Sequence, residues 1–373
     1  MKKLYIASLF FAASSIGNAQ MLIPEFEEPM MMEHISSDAD ETMPLPFNNA
    51  NSFYFSRTYI NSKGEPFGQD TWIVDKKKGE WDNPYRLFRA DYLEGEFNII
   101  GTSRSGDRVY LFGTSYKKEG KEVIETTKLI YLDQKGKDKW EDPVEIKIPK
   151  LEFTDELYYA FHMDYDGEIL MISMSESKNH LDEDLFVSLK NEDGSWSEVI
   201  HLGDRINTKK SETSPYLTKD RKTLYFASDG HDGLGGTDIF VSYRIGDGWD
   251  QWTRPLNLGA PINSEDHDGY FTFGDSMDIY FTSDRVGVHM SVFHTSTTGE
   301  FKFANQEAKF DYAKLPAEGM TIKIYDVDGT LIDEVQTDAY GNFTFKKLEG
   351  DEYYLFKSMR LTMRISLERK SIL

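Results

Sequence analysis

A short strand ending in small or hydroxyl residues returns five times along the chain: FYFS at 53–56, VYLFG at 109–113, ILMIS at 169–173, LYFAS at 224–228 and IYFTS at 279–283. Measured on Tyr54, Tyr110, Leu170, Tyr225 and Tyr280, the spacings are 56, 60, 55 and 55 residues. A sustained period on this scale marks a repeat architecture, in which each unit leaves apolar faces that only its neighbours can cover.

Each copy carries the same companions in the same order. Before the anchor strand lies a segment opening on acidic or small residues: ETMPLPF (41–47), GEFNII (95–100), ELYYAF (156–161), ETSPYL (212–217) and DGYFTF (268–273). After it comes a second apolar strand: DTWIV (70–74), TKLIYL (127–132), DLFVSL (184–189), DIFVSY (238–243) and MSVFH (290–294). A turn and an aromatic-led strand complete the unit. Four strands per unit, short loops and a period near 55 predict an all-β propeller of about five four-stranded blades over 35–304. Between Met43 and Phe303 no long stretch has the apolar spacing of a helix. On the shared W-x-x-P spacing, Trp81, Trp140, Trp196, Trp252 and Phe301 hold equivalent places, which predicts seats between blades. Trp249 is the extra aromatic and therefore the one candidate for partner or glycan contact. Asp70, Asp184 and Asp238 open equivalent strands and are expected to accept hydrogen bonds within their blades. The acidic, Met-rich segment 20–34 is either a leader or an outer strand that closes the ring, and ring closure is expected.

The first 19 residues stand apart. Lys2 and Lys3 precede an apolar run from Leu4 to Ile16, and Gly17-Asn18-Ala19 supplies the small residues of a cleavage site. This is the pattern of a signal peptide, with export to the periplasm or outer membrane expected. No later stretch is long and apolar enough for a membrane-spanning helix. The chain has no cysteine, which removes disulfides, thiolate metal sites, cysteine nucleophiles and a lipid anchor on a cysteine after the signal. The formal charge is −22, and −24 once Lys2 and Lys3 leave with the signal, so nucleic acid is an unsuited partner.

The stretch 211–273 strongly resembles the TolB-type propeller repeats of exported OmpA-family proteins from Bacteroidetes-like bacteria. The residues that carry it are LYFASD, Gly233-Leu234-Gly235-Gly236, DIFVS, W-x-x-P-L-N-L-G and the P-I-N-S link; weaker copies such as DRIN (204–207) extend it over most of 35–304. Behind the propeller, 320–356 has alternating strands around Asp328-Gly329 and looks like a carboxypeptidase-regulatory or transthyretin-like module, assigned to 306–356. An OmpA-like domain usually follows in that family; here the basic tail 357–373 ends the chain, and a truncated product with an unstructured tail is the expectation. The resemblance implies a non-catalytic binding or scaffold protein that holds an envelope protein or other envelope component on its loop faces, without a cofactor.

No enzyme motif argues otherwise. The eight histidines form no His-Glu-x-x-His pair, and no Gly-x-Ser-x-Gly elbow occurs. In the loop 228–238, Asp229, Asp232 and Asp238 among glycines are weak candidates for a hard cation, against the ordinary use of Asp and Gly in connecting loops. One enzymatic class leaves no local motif: a propeller glycosidase draws its paired carboxylates from separate blades. It stands as the alternative, together with a lectin-like glycan binder. Two carboxylates and aromatics meeting at one mouth would favour it; a broad loop surface would favour the scaffold.

Overall fold

The computed structural model describes residues 22–303, except 48–50, 89–92, 94, 120–121, 137–138, 155–157, 178–179, 220 and 275–277, together with 321–325, 331–336, 353–358 and 362–366. Every regular element among the described residues is a strand.

Five antiparallel sheets follow one another in chain order, as the 55-residue period predicts. Their innermost strands are Ala39–Phe47, Gly95–Thr102, Tyr159–Met163, Glu212–Leu217 and Asp268–Phe273. Each runs into the anchor strand, then into a third strand, and a fourth short strand lies outermost. Aromatic and β-branched residues dominate the second and third strands because such side chains fill a pleated surface buried on both sides; Thr223–Ser228 and Asp238–Tyr243 are buried at every position.

The core is divided among the seams between blades. One apolar cluster joins Leu45, Tyr54 and Ile73 of the first blade to Phe97, Val109 and Ile130 of the second. Another joins Leu129 of the second to Phe161 and Phe186 of the third, and a further one joins Met171 and Leu185 to Phe226 and Phe240. The repeated tryptophans sit in these seams: Trp140, Trp196 and Trp252 each pack in the cluster shared with the preceding blade, and Trp81 in the one shared with the fifth. Their equivalence is visible in the ladder, where Trp81, Trp140, Trp196 and Trp252 pair with Lys76, Gln134, Lys190 and Arg244 at the end of the third strand. Phe301 does not share that place: it continues the fifth blade's third strand, Ser291–Phe303, and the outermost strand of that sheet comes from the N-terminal segment instead of from 299–304.

The ring is closed by the N-terminal segment. Leu22–Phe26 is the outermost strand of the fifth sheet, beside Ser291–Phe303, and Met30 and Met31 pair with His294 and Phe293. Met32 and Ile35, 5% and 0% exposed, then carry the chain into the seam with the first blade.

One end of the axis is bridged. Tyr165 Oη, in the third blade's inner hairpin, donates to Pro46 O of the first blade at 2.9 Å. Tyr54 Oη donates to Gly106 O at 3.1 Å. Gly106 has φ 79°, and a Cβ there would strike the Phe47 ring, so this turn requires glycine.

The C-terminal strands form a separate four-stranded antiparallel sheet in the order Leu331–Gln336, Thr321–Tyr325, Tyr353–Ser358, Thr362–Ser366.

Candidate functional site

The innermost strands are not straight ladders. In the first, fourth and fifth blades the pairing skips two residues, and the first residue of each skipped pair has positive φ: Met43 (56°), Ser214 (44°) and Tyr270 (49°). Non-glycine residues seldom take that conformation, and bulges commonly serve to re-aim a side chain beside a site. Proline cannot donate to a ladder, and Pro44 and Pro215 follow the strained residue in two of the three. The bulges lie opposite Phe55, Phe226 and Phe281; at the matching level stand Ile100, where the second blade's ladder also slips, and His162, opposite Met171.

Acidic groups near the axis fall into two sets. The first set ties blades together. Glu41, Glu212 and Asp268 are fully buried, and each accepts from the backbone and hydroxyl of a residue four positions earlier: Ser37, Thr208 and Ser264. Arg57 reaches Glu41 at 2.9 Å and Arg285 reaches Asp268 at 2.7 Å. Beside them, Asn207 and Asn263 each bond both backbone groups of a third-strand residue, Leu185 and Ile239, at 2.8–3.0 Å. This is the physical content of the I-N-S/T link: amide and carboxylate side chains satisfy backbone groups that neighbouring strands leave open.

Glu212 differs from its two counterparts. Its carboxylate accepts from Ser228 Oγ at 2.6 Å rather than from a guanidinium. Burial, with Asp184 adding a smaller push, raises it from 4.5 to about 7 against the pull of its hydrogen bonds. A carboxyl whose folded value lies above its unfolded one binds more protons in the folded state between the two. The stability it confers is therefore full below about 4.5 and is lost as pH rises through about 7. Glu212→Gln is expected to flatten this part of the stability profile, worth on the order of 2 kcal/mol between pH 5 and 8. Urea midpoints across that range check it, and an unchanged slope would refute it.

The second acidic set lies at the end of the inner strands away from the Tyr165–Pro46 bridge. Asp40 is the second residue of the first innermost strand and is half-buried; its Oδ1 accepts from Met290 N at 3.0 Å and lies 3.3 Å from His289 Nδ1. Glu183, on the third strand of the third blade, is also half-buried, and its N–H donates to Ser211 Oγ at 3.3 Å. Between them comes Tyr270 from the fifth blade. Its phenol is pushed up to about 12, first by burial and then by the charges of Glu183 and Asp40. The charges of two carboxylates from two other blades thus act on this phenol. Deeper in, His162 is buried against Tyr216, ring centroids 4.9 Å apart, and burial pushes its imidazole down to about 4, so it is neutral near pH 7.

The residues singled out from sequence lie elsewhere. Asp229 accepts from Ser211 N at 3.0 Å and lies 3.5 Å from Lys210 Nζ. Asp232 is exposed. Asp238 is buried, accepts from Leu234 N and, at 3.0 Å, from Asn257 Nδ2, while burial raises its carboxyl; Oδ1 has no partner. The three do not form a metal-holding group, and none does among the described residues. Asp70 and Asp184 likewise meet their own outer strands, through Arg86 at 3.0 Å and His201 at 3.5 Å. Trp249 packs on the seam cluster of Trp252, with Arg244 4.3 Å above its ring, at the end of the blade away from Asp40. It is a seam residue there. Nothing local in the sequence announces Asp40, Glu183 or Tyr270; the recurring E-T-x-P of the inner strands is the signal that points to the bulges.

Residues 306–356 match the family model of the SpaA prealbumin-like fold domain. The C-terminal module is therefore a prealbumin-like β-sandwich; of the two likenesses read from sequence, the transthyretin-like one is kept and the carboxypeptidase-regulatory one is not. No curated protein matches the chain. Solved structures of like architecture include a glycoside hydrolase at 11% identity and a TM-score of 0.47, covering 79% of this chain and 96% of that one. A thermostable family-43 glycoside hydrolase is 12% identical with a TM-score of 0.43, covering 75% and 96%. An α-L-arabinofuranosidase from Lactobacillus brevis is 10% identical with a TM-score of 0.43, covering 81% and 95%. These likenesses are loose, and no residue role is carried over from them. The names they carry are those of glycoside hydrolases, the class of the carbohydrate-active alternative, where a non-catalytic, non-enzymatic scaffold was expected.

Proposed function

We propose that this chain is a carbohydrate-active propeller enzyme that hydrolyses a neutral glycan at the axial mouth. The observation that carries the reading is Tyr270 in the field of both Asp40 and Glu183, three side chains from three blades. Glycoside hydrolysis needs two carboxyl groups, one to protonate the leaving oxygen and one to act as base or nucleophile. Asp40 and Glu183 take those parts, and Tyr270 offers an aromatic face with a polar tip, suited to a sugar. The charge of −22 disfavours polyanionic glycans. Lys2 to Ala19 supports a place outside the cytoplasm, and the resemblance of 211–273 to TolB-type repeats of exported OmpA-family proteins supports the envelope, with an envelope glycan as substrate.

The test uses the full chain recovered by fractionation, assayed on a panel of neutral oligosaccharides. Asp40→Asn and Glu183→Gln are each expected to lower kcat/KM by roughly 10²–10⁴-fold with melting unchanged. Undiminished turnover in both variants, or no cleavage of any neutral glycan, overturns the catalytic reading; binding without cleavage leaves a lectin. Recovery in the cytosol with the leader attached overturns the location.

A further inference from the structure

The level of the inner-strand bulges forms a belt around the axis, and its two halves differ in kind. The first and second blades supply Met43 and Ile100, which pack in one apolar cluster. The third, fourth and fifth supply His162, Ser214 and Tyr270. His162 and Ser214 are 6% and 5% exposed, yet His162 Nε2 and Ser214 Oγ have no hydrogen-bond partner. Both stand on neighbouring innermost strands at one register, and Ser214 is held at φ 44°. Buried polar atoms are nearly always paired, because leaving them dry lowers stability. Two such atoms at one depth, one of them on strained backbone, mark a place kept ready for a partner that brings its own hydroxyl.

We propose that this belt is an inner sugar subsite, in which a hydroxyl of the bound glycan pairs with His162 Nε2 and Ser214 Oγ. The assignment rests on the carbohydrate reading above and narrows it. A sugar hydroxyl both donates and accepts, so it satisfies a neutral imidazole nitrogen in either tautomer and a serine together. The Met43 side takes the apolar face of the ring. Since Tyr165 and Pro46 bridge the far end of the axis, the subsite receives a chain end and not a chain passing through.

Ser214→Ala and His162→Leu are each expected to weaken binding of the tightest oligosaccharide in the panel by roughly ten- to a hundredfold. Melting should hold or rise, since a dry polar atom has been removed; a residue that served only the fold would lower melting and leave affinity alone. Unchanged affinity in both variants overturns the subsite while leaving the carbohydrate reading intact. In a second measurement, crystals of the unaltered protein are soaked in turn with D-glucose, D-galactose and L-arabinose. A sugar hydroxyl within hydrogen-bond distance of both atoms supports the subsite, even if no oligosaccharide is cleaved; water alone in all three overturns it.

Discussion

Trp252→Ala is expected to lower the unfolding free energy by about 3–5 kcal/mol, the cost of emptying a large fully buried aromatic seat. Trp252 is 0% exposed and packs where the third and fourth blades meet, among Leu202, Ile206 and Phe240. Its indole N–H donates to Trp249 O at 2.5 Å, so truncation also frees a carbonyl at the turn. Trp81, the equivalent residue of the first blade, is only half-buried, and Trp81→Ala should cost clearly less. Urea midpoints at constant m-value measure both. Equal losses would mean that the seams do not differ in the way their burial indicates.

Arg285→Leu is expected to cost about 3–5 kcal/mol, as the removal of one partner from a buried ion pair does. Asp268 has no exposed surface, and Arg285 lies against it at 2.7 Å while also donating to the carbonyls of Pro261 and Ile262 and to Ser283 Oγ. The leucine leaves a carboxylate sealed in the seam, with Ser264 its remaining donor among the described residues. The fourth blade supplies the comparison, since Glu212 occupies the same place with hydroxyl and backbone donors alone. The Arg285→Leu/Asp268→Asn double variant should be more stable than the single one; if it is not, the buried charge is not the cause.

The architecture was legible because a propeller repeats its demands. A strand every 55 residues in five blades, a tryptophan after the third strand in four of them and an aspartate in the third strand of three are repeated answers to one packing problem, and all leave a period. Sites do not repeat. Asp40, Glu183 and Tyr270 come from different strands of different blades, and their meeting depends on how far each chain segment has travelled toward the axis. Only the proline that follows Met43 and Ser214 betrays the bulge in advance. The loop 228–238 drew notice for its aspartates, but its composition serves the turn: Asp238 folds back on Leu234 and Asn257. Trp249 drew notice for being unmatched, and it is a second plank of a seam already built on Trp252.

The closing strand sets an order of events. Met30 finds His294 only when nearly the whole propeller has emerged, so the first segment made is the last to be paired. Until then both the first blade's outer seam and the fifth blade's edge stay open, and joining them carries the entropy of a loop spanning almost the full ring. Locking of the ring is thereby deferred until the fifth blade offers its edge to Leu22–Phe26.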